Sequence, residues 1–377
     1  MTPEEKIEVL GQSAQYDICM DCGKVSPLSS RARDPFGRWI YPAVMPDGKH
    51  IKLLKVLMTN ACSNECSYCV NSARRNTRRE FFTPEGLAGL FNDLQKARIA
   101  QGLFLSSAIP DEPDKTMSDM IKTVEIVRKK YRFDGYVHLK VLPGASMETV
   151  SRAAKLAQRV SINMEAPTRE RLARIAPGKN LMDDIVQRMQ WMKGLLERED
   201  TKAKQQTTQF VVGAAEESDQ EILRTVQWLY DKMDLGRAYY SAYQPPDDPE
   251  KVVVPPVREH RLYQSDFLIR KYGFRFEEIG FGDEGNLSLE KDPKRVWADD
   301  HPEKFPLEVN TAPKEELLRV PGLGPSTVRR LIRERKDRRV RSLSDLKVLG
   351  AVTSWAAGYV TLDGKRPSVP KQLTWFK

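Results

Sequence analysis

From residue 51 onward, short apolar runs rich in β-favouring residues alternate with longer stretches whose apolar positions recur every three or four residues. The short runs lie at 52–58, 102–106, 136–142, 160–164, 208–212 and 238–242, and helical patterns fill 84–96, 117–130, 146–158, 181–197 and 218–233. Six strands alternating with helices predict a parallel α/β sheet or barrel. Working residues in such barrels sit at the C-terminal ends of the strands. A further helix–strand pair, 256–272 and 275–279, is expected to extend the sheet. Residues 1–50 open with a short helical stretch and turn loop-like, 291–305 is punctuated by prolines, and 306–377 reads as short helices around a glycine turn. The expected organisation is an N-terminal extension (1–50), the α/β sheet or barrel (51–290), a linker (291–305) and a small all-α C-terminal module (306–377).

Length and composition permit this. The chain has 377 residues, 40 % of them apolar, enough for a barrel core and a small module. No apolar run approaches the ~20 residues a membrane helix needs, so no membrane partner is expected. Met1 to Leu10 carries Glu4, Glu5 and Glu8 instead of a basic-then-apolar leader, which points to the cytoplasm. In that compartment clustered cysteines read as metal ligands before disulfides. The net charge of +9 is uneven: residues 305–377 hold 15 Lys and Arg against 7 Asp and Glu, leaving about +1 for the rest. A local excess of this kind fits a polyanion partner, usually nucleic acid, or a solvated helix face.

The strongest chemical signal is Cys62-Ser-Asn-Glu-Cys66-Ser-Tyr-Cys69, directly after the first of these strands. Three thiolates within eight residues can wrap one metal centre but are too few for a closed four-thiolate site. Three is the number a cluster needs if one iron stays open to a ligand. Reduced loop thiols, or a zinc site borrowing a histidine, are the alternatives. The Cys-x3-Cys-x2-Cys spacing, with Tyr68 before the last cysteine, resembles the radical S-adenosylmethionine (SAM) superfamily. The resemblance implies that 51–290 folds as a partial (β/α)6 barrel carrying a 4Fe–4S cluster on Cys62, Cys66 and Cys69, with SAM on the open iron and Tyr68 near its adenine. It also implies a one-electron cleavage of SAM to a deoxyadenosyl radical that takes hydrogen from a substrate, fed by an electron donor such as flavodoxin or ferredoxin.

Other strand ends fit the resemblance. Ser106-Ser107-Ala108 closes the second strand where the superfamily carries a glycine-rich stretch on the SAM amino group. Tyr136, His138 and Lys140 alternate with apolar neighbours, as do Ser161, Asn163 and Glu165, so each polar set shares one face. Polar side chains inside a barrel need partners, which SAM and substrate would supply. The resemblance favours Asn163 and Glu165 as contacts to ribose or carboxylate. Gly213 opens a Gly-x-x-Glu stretch similar to one that sits beside the adenine. Tyr239, Tyr240 and Tyr243 are suited to stacking on a base or to core packing.

In the C-terminal module, Val320-Pro-Gly322-Leu-Gly324-Pro325 separates two helical patterns and resembles a helix-hairpin-helix DNA-binding motif. Glycines allow close backbone approach, and unpaired N–H groups at the next helix start can face a phosphate. Gly322, Gly324, Thr327, Arg329, Arg330 and Arg333 are the expected nucleic-acid contacts. A weaker second hairpin lies at Leu349-Gly350-Ala351-Val352, where the second glycine is replaced. A protein-interaction or structural hairpin is the alternative. Cys19 and Cys22 remain over: a redox dithiol, half of a metal site, or loop thiols without a role.

A SAM-cleaving core joined to this module is similar to the family of radical SAM proteins assigned to DNA modification or repair, over roughly 51–352. Gly102-Leu-Phe-Leu-Ser-Ser, Ser161-Ile-Asn-Met-Glu-Ala-Pro-Thr168 and 306–312 carry that likeness. It implies a nucleic-acid substrate, DNA in preference to RNA, and association with a uracil-DNA-glycosylase-like protein. An RNA-modifying radical SAM enzyme and a non-catalytic iron–sulfur DNA-binding protein are the rival readings.

Overall fold

The structure is a computed structural model, and it describes residues 2–14, 39–44, 50–248 and 253–367. Cys19 and Cys22 lie outside the described residues. The chain divides into two compact units, 1–217 with 228–255, and 218–227 with 256–377.

The first unit opens with helix α1 (Pro3–Ser13) and is built on one seven-stranded sheet in sequential order, curled as a half-barrel. Its strands are β1 (Ile40–Val44), β2 (His50–Leu57), β3 (Gly102–Ser106), β4 (Tyr136–Lys140), β5 (Arg159–Ser161), β6 (Gln205–Val212) and β7 (Leu235–Ala242). From β2 to β7 every pairing is parallel. The six predicted strands are all present. Strand β1 was not expected; it pairs antiparallel with β2 at the sheet edge. Pro42 disguises it, because a proline has no N–H for a ladder and is tolerated in a sheet chiefly at an edge.

The connecting helices are α2 (Pro84–Lys96), α3 (Pro113–Lys129), α4 (Met147–Leu156), α5 (Arg169–Ile175), α6 (Gln187–Leu196) and α7 (Asp219–Met233). A π-helical turn, Leu181–Val186, leads into α6. Side-chain caps fix several starts: Thr83 accepts from Gly86 N–H and Ser146 from Thr149 N–H. Every residue of β3 is buried, the state of a parallel strand covered on both faces.

The second unit holds α8 (Pro256–Tyr272), α9 (Pro293–Asp300), α10 (Lys314–Leu317), α11 (Pro325–Glu334), α12 (Leu343–Val348) and α13 (Thr353–Ala356). Three expectations are corrected here. Residues 275–279 form no strand: Phe276–Glu278 is a 3-10 turn whose Glu278 carboxylate accepts from Arg275 N–H. The stretch 291–305 is more than a linker, since Asp292 caps α9 within it by accepting from the N–H groups of Lys294 and Arg295. The C-terminal module is not all-α, because β8 (Leu307–Glu308) pairs in parallel with β9 (Val360–Thr361). Its core gathers Val309, Leu317, Val320, Leu323, Val328 and Leu346.

Candidate active site

The three cysteines sit in the loop that leaves β2, and backbone bonds pin that loop to its neighbours. Ser63 N–H donates to Ile109 C=O at 2.8 Å, and Ser67 N–H to Ile175 C=O at 2.9 Å. Cys69 N–H closes a turn on Cys66 C=O at 3.2 Å. Arg79 ties the base of the loop. Its guanidinium donates to the carbonyls of Asn60 (2.7 Å), Asn71 (2.9 Å), Ser72 (2.7 Å) and Arg75 (2.9 Å). Asn60 adds two bonds of 2.8 Å, to Arg78 C=O and from Glu80 N–H.

Cys62, Cys66 and Cys69 are free thiols on the wall of one cavity at the C-terminal ends of the strands. Tyr68, Ser106, Ser107, Asn163 and Glu165 line the same cavity, so nearly all the predicted cofactor contacts converge. Burial pushes the Cys69 thiol up to about 12 and also raises Cys66, against the pull of the Lys179 ammonium. Cys66 and Cys69 are therefore neutral until a cation arrives, and a metal that binds them displaces their protons. Among the described residues no three His, Cys, Asp or Glu side chains are grouped to hold a single metal ion. A multi-iron cluster asks something different: three thiols on one cavity wall, each reaching its own iron. The donor set fits that group.

Opposite the cysteines, Glu165 adopts φ +64°, a left-handed conformation uncommon for a non-glycine residue. It is held there by an isolated bridge to β6, with Glu165 N–H donating to Gln209 C=O at 3.0 Å and Val211 N–H to Glu165 C=O at 2.9 Å. Lys179 donates from Nζ to Glu165 Oε1 at 3.4 Å and to the Tyr68 hydroxyl at 3.1 Å. Asn163 Nδ2 reaches Glu165 Oε2 at 3.4 Å. Burial opposes the Lys179 charge, but the Glu165 carboxylate, through its charge and its hydrogen bond, outweighs it and raises the Lys179 pKa. Burial and the Glu165 charge raise Tyr68 well above its ordinary value, so it stays a neutral phenol.

Some expected contacts lie elsewhere. Gly213 takes φ +82° but is not among the cavity-lining residues; its N–H is held by the Glu217 carboxylate. Glu216, the acid of the Gly-x-x-Glu stretch, turns outward toward Arg174. Of the β4 stripe only Lys140 lines the cavity. His138 is buried under it, with Nε2 2.8 Å from Ser161 Oγ and its ring edge-on to Phe104. Burial, with Arg159 and Lys140 nearby, drives its pKa well down and keeps it neutral. Tyr240 stacks on Phe210 in the core, whereas Tyr243 lines the cavity. Lys179 and Arg79 were not predicted; no local pattern marks either.

In the second unit, Gly322 (φ +81°) and Gly324 shape the turn between α10 and α11. Arg329, Arg330 and Arg333 are exposed on α11, and none forms an ion pair among the described residues. Thr327 departs from its expected role. It is buried, and its hydroxyl donates to Gly350 C=O at 2.9 Å, so it ties two turns together.

Residues 56–229 match the model of the radical SAM superfamily. This stretch is a radical SAM domain. It is an enzyme domain that holds a 4Fe–4S cluster and SAM and cleaves the SAM. Among solved structures, HydG, a maturase of the FeFe-hydrogenase, gives a TM-score of 0.44 at 12 % identity, covering 65 % of this chain and 62 % of that one. Methylornithine synthase gives 0.42 at 14 % over 70 % and 66 %, and SuiB from Streptococcus suis bound to S-adenosylmethionine gives 0.44 at 11 % over 57 % and 47 %. The chain thus spans about half to two thirds of the length of these structures. No curated protein matches the sequence significantly. No helix among the described residues is long and apolar enough to cross a membrane.

Proposed function

We propose that this radical SAM protein acts on nucleic acid, DNA in preference to RNA, and that its C-terminal unit grips the phosphate backbone through a helix-hairpin-helix motif. When bound, the cluster and SAM supply a deoxyadenosyl radical that takes a hydrogen atom from the substrate. Cys62, Cys66 and Cys69 hold the cluster; Tyr68, Ser106, Ser107, Asn163 and Glu165 surround the SAM. An electron carrier of the flavodoxin or ferredoxin type feeds the site, and a uracil-DNA-glycosylase-like protein is the associated partner.

The observation that carries the nucleic-acid reading is the start of α11. Gly324 caps it without a side-chain bond, and Pro325 occupies its first turn. The first N–H groups of this ten-residue helix therefore have no intrahelical acceptor. They point where a phosphate would sit, with the exposed Arg329, Arg330 and Arg333 on the same helix. Such contacts position a duplex or strand without reading its sequence. A reactive group confined to a barrel cavity cannot reach into a stacked duplex, so the nucleotide enters single-stranded or extruded.

Two measurements test this. Cys66→Ala should abolish SAM-dependent deoxyadenosine formation after anaerobic reconstitution; retained cleavage refutes the cluster assignment. Replacing Arg329, Arg330 and Arg333 by Gln should weaken DNA binding and flatten its salt dependence; an unchanged salt slope removes the clamp. Competition between DNA and tRNA decides the polymer, and deuterated oligonucleotides identify the position that gives up hydrogen.

A further inference from the structure

The second unit contains two glycine turns that interlock. Gly322 has φ +81° and Gly350 φ +96°. Val352 N–H donates to Gly322 C=O at 3.0 Å, and Thr327 Oγ1 donates to Gly350 C=O at 2.9 Å. A Cβ placed on Gly322 would lie 3.2 Å from Trp355 Cβ, and one on Gly350 would lie 3.3 Å from Thr327 Oγ1. Thr327 and Trp355 each stand five residues after their own turn glycine. Each turn is thus covered by the helix that follows the other, an approximate twofold relation that puts the turns side by side.

The two halves differ in what they expose. The first turn ends in Gly324-Pro325 and opens a ten-residue helix. The second ends in Val352 and opens α13, only four residues long, which offers no comparable row of N–H groups. In their place it presents Val348, Val352 and Trp355, at 83 %, 47 % and 50 % exposure. Three large apolar side chains held toward solvent within eight residues are costly unless something covers them. Their surroundings are cationic. Lys347 is exposed beside Val348, and Arg330 reaches Leu349 C=O at 3.5 Å. The nearby acid, Asp345, is occupied as the capping partner of Ser342 and accepts from Arg341 N–H.

An apolar aromatic surface fringed by arginine and lysine matches the chemistry of an unstacked nucleobase, whose flat face is apolar and whose flanking phosphates are anionic. We propose that the second turn is a base-stacking platform: Trp355, flanked by Val352, receives a base from single-stranded or locally opened nucleic acid while the first turn holds the adjoining phosphate. This rests on the nucleic-acid reading above and narrows it to substrates with unpaired bases.

The test uses the full-length reconstituted protein and fluorescently labelled oligonucleotides, comparing a single strand with the matched duplex across a salt series. Trp355→Ala is expected to weaken single-strand binding about tenfold, to change duplex binding little, and to leave the salt slope alone. Trp355→Phe should keep most of the affinity. Adjacent 2-aminopurine should be quenched by the parent protein and not by Trp355→Ala. Equal losses on strand and duplex, or no loss on either, overturn the platform and leave the phosphate clamp standing. If the parent protein self-associates and Trp355→Ala lowers its sedimentation mass, a second copy covers the patch and the platform is likewise refuted. A parent protein that binds neither strand nor duplex at low salt removes the nucleic-acid reading together with the platform.

Discussion

Lys179 and Glu165 form a buried ion pair at 3.4 Å, and the same ammonium reaches the Tyr68 hydroxyl at 3.1 Å. The pair links a residue of the cysteine loop to the left-handed residue beyond β5. Because the Lys179 pKa is raised, its stabilising contribution is fully present at neutral pH and is lost only in strongly alkaline solution.

Lys179→Met should leave the Glu165 carboxylate buried without its cation, at a cost of about 3–5 kcal/mol. Denaturant unfolding of the apoprotein is expected to show this loss, and SAM cleavage by the reconstituted protein should fall with it. The double variant Lys179→Met/Glu165→Gln should recover part of the stability but not the cleavage. An apoprotein of unchanged stability would show that the pair contributes nothing to the fold.

Arg79 offers a separate test, because it joins four carbonyls of the cysteine loop without lining the cavity. Hydrogen bonds from a charged donor contribute about 1.5–3 kcal/mol each in favourable cases. Arg79→Ala should loosen the loop and lower the iron and sulfide retained per chain, while Arg79→Lys, which keeps the charge but not the planar fork, should fall between. Full iron content in Arg79→Ala would mean the loop holds its shape without Arg79, through Asn60 and the backbone bonds of Ser63 and Ser67.

These two residues also mark where the sequence stops being legible. The cysteine motif can be read because its ligands lie within eight residues and the chemistry dictates their spacing. The parallel sheet can be read because each strand is a short apolar run between amphipathic helices. Lys179 meets Tyr68 across 111 positions, a proximity created by the sheet's curvature and invisible in any local window. Strand β1 escaped because Pro42 is tolerated only through its edge position, which depends on knowing the neighbours. Thr327 was misread for a related reason: a hydroxyl near a helix start suits a phosphate, and only the second turn reveals its real acceptor.

Lys294 predicts a pH dependence of the second unit. Its ammonium is buried, donates to Leu323 C=O at 2.6 Å and lies 4.5 Å above the Tyr272 ring. Burial lowers its pKa from 10.5 to about 7, with Arg319 adding to the effect and Asp292 opposing it. Between these two values the unfolded chain carries one more proton than the folded one, so stability rises with pH across that window. The slope should approach about 1.4 kcal/mol per pH unit above neutrality. Lys294→Met should remove this slope, measured by urea unfolding of the full chain from neutral to mildly alkaline pH. A slope that survives the substitution assigns it to another group.

The turn glycines allow conformational strain to be separated from steric collision. Gly364 has φ +77° with open space where a Cβ would sit, whereas Gly322 has φ +81° and a Cβ there would collide with Val352 C=O and lie 3.1 Å from Ala356 N. Gly364→Ala should therefore cost only the left-handed penalty, roughly 1–2 kcal/mol. Gly322→Ala adds a collision with backbone that cannot move aside, so its total should exceed about 3 kcal/mol. Gly358, with open space and no left-handed φ, serves as the neutral control. Because the colliding carbonyl belongs to the second turn, Gly322→Ala should also push the two turns apart; on the nucleic-acid function proposed above it should then weaken DNA binding, with Gly364→Ala leaving that binding unchanged. Equal costs at positions 322 and 364 would show that the turns are not packed as closely as the bond from Val352 N–H to Gly322 C=O requires.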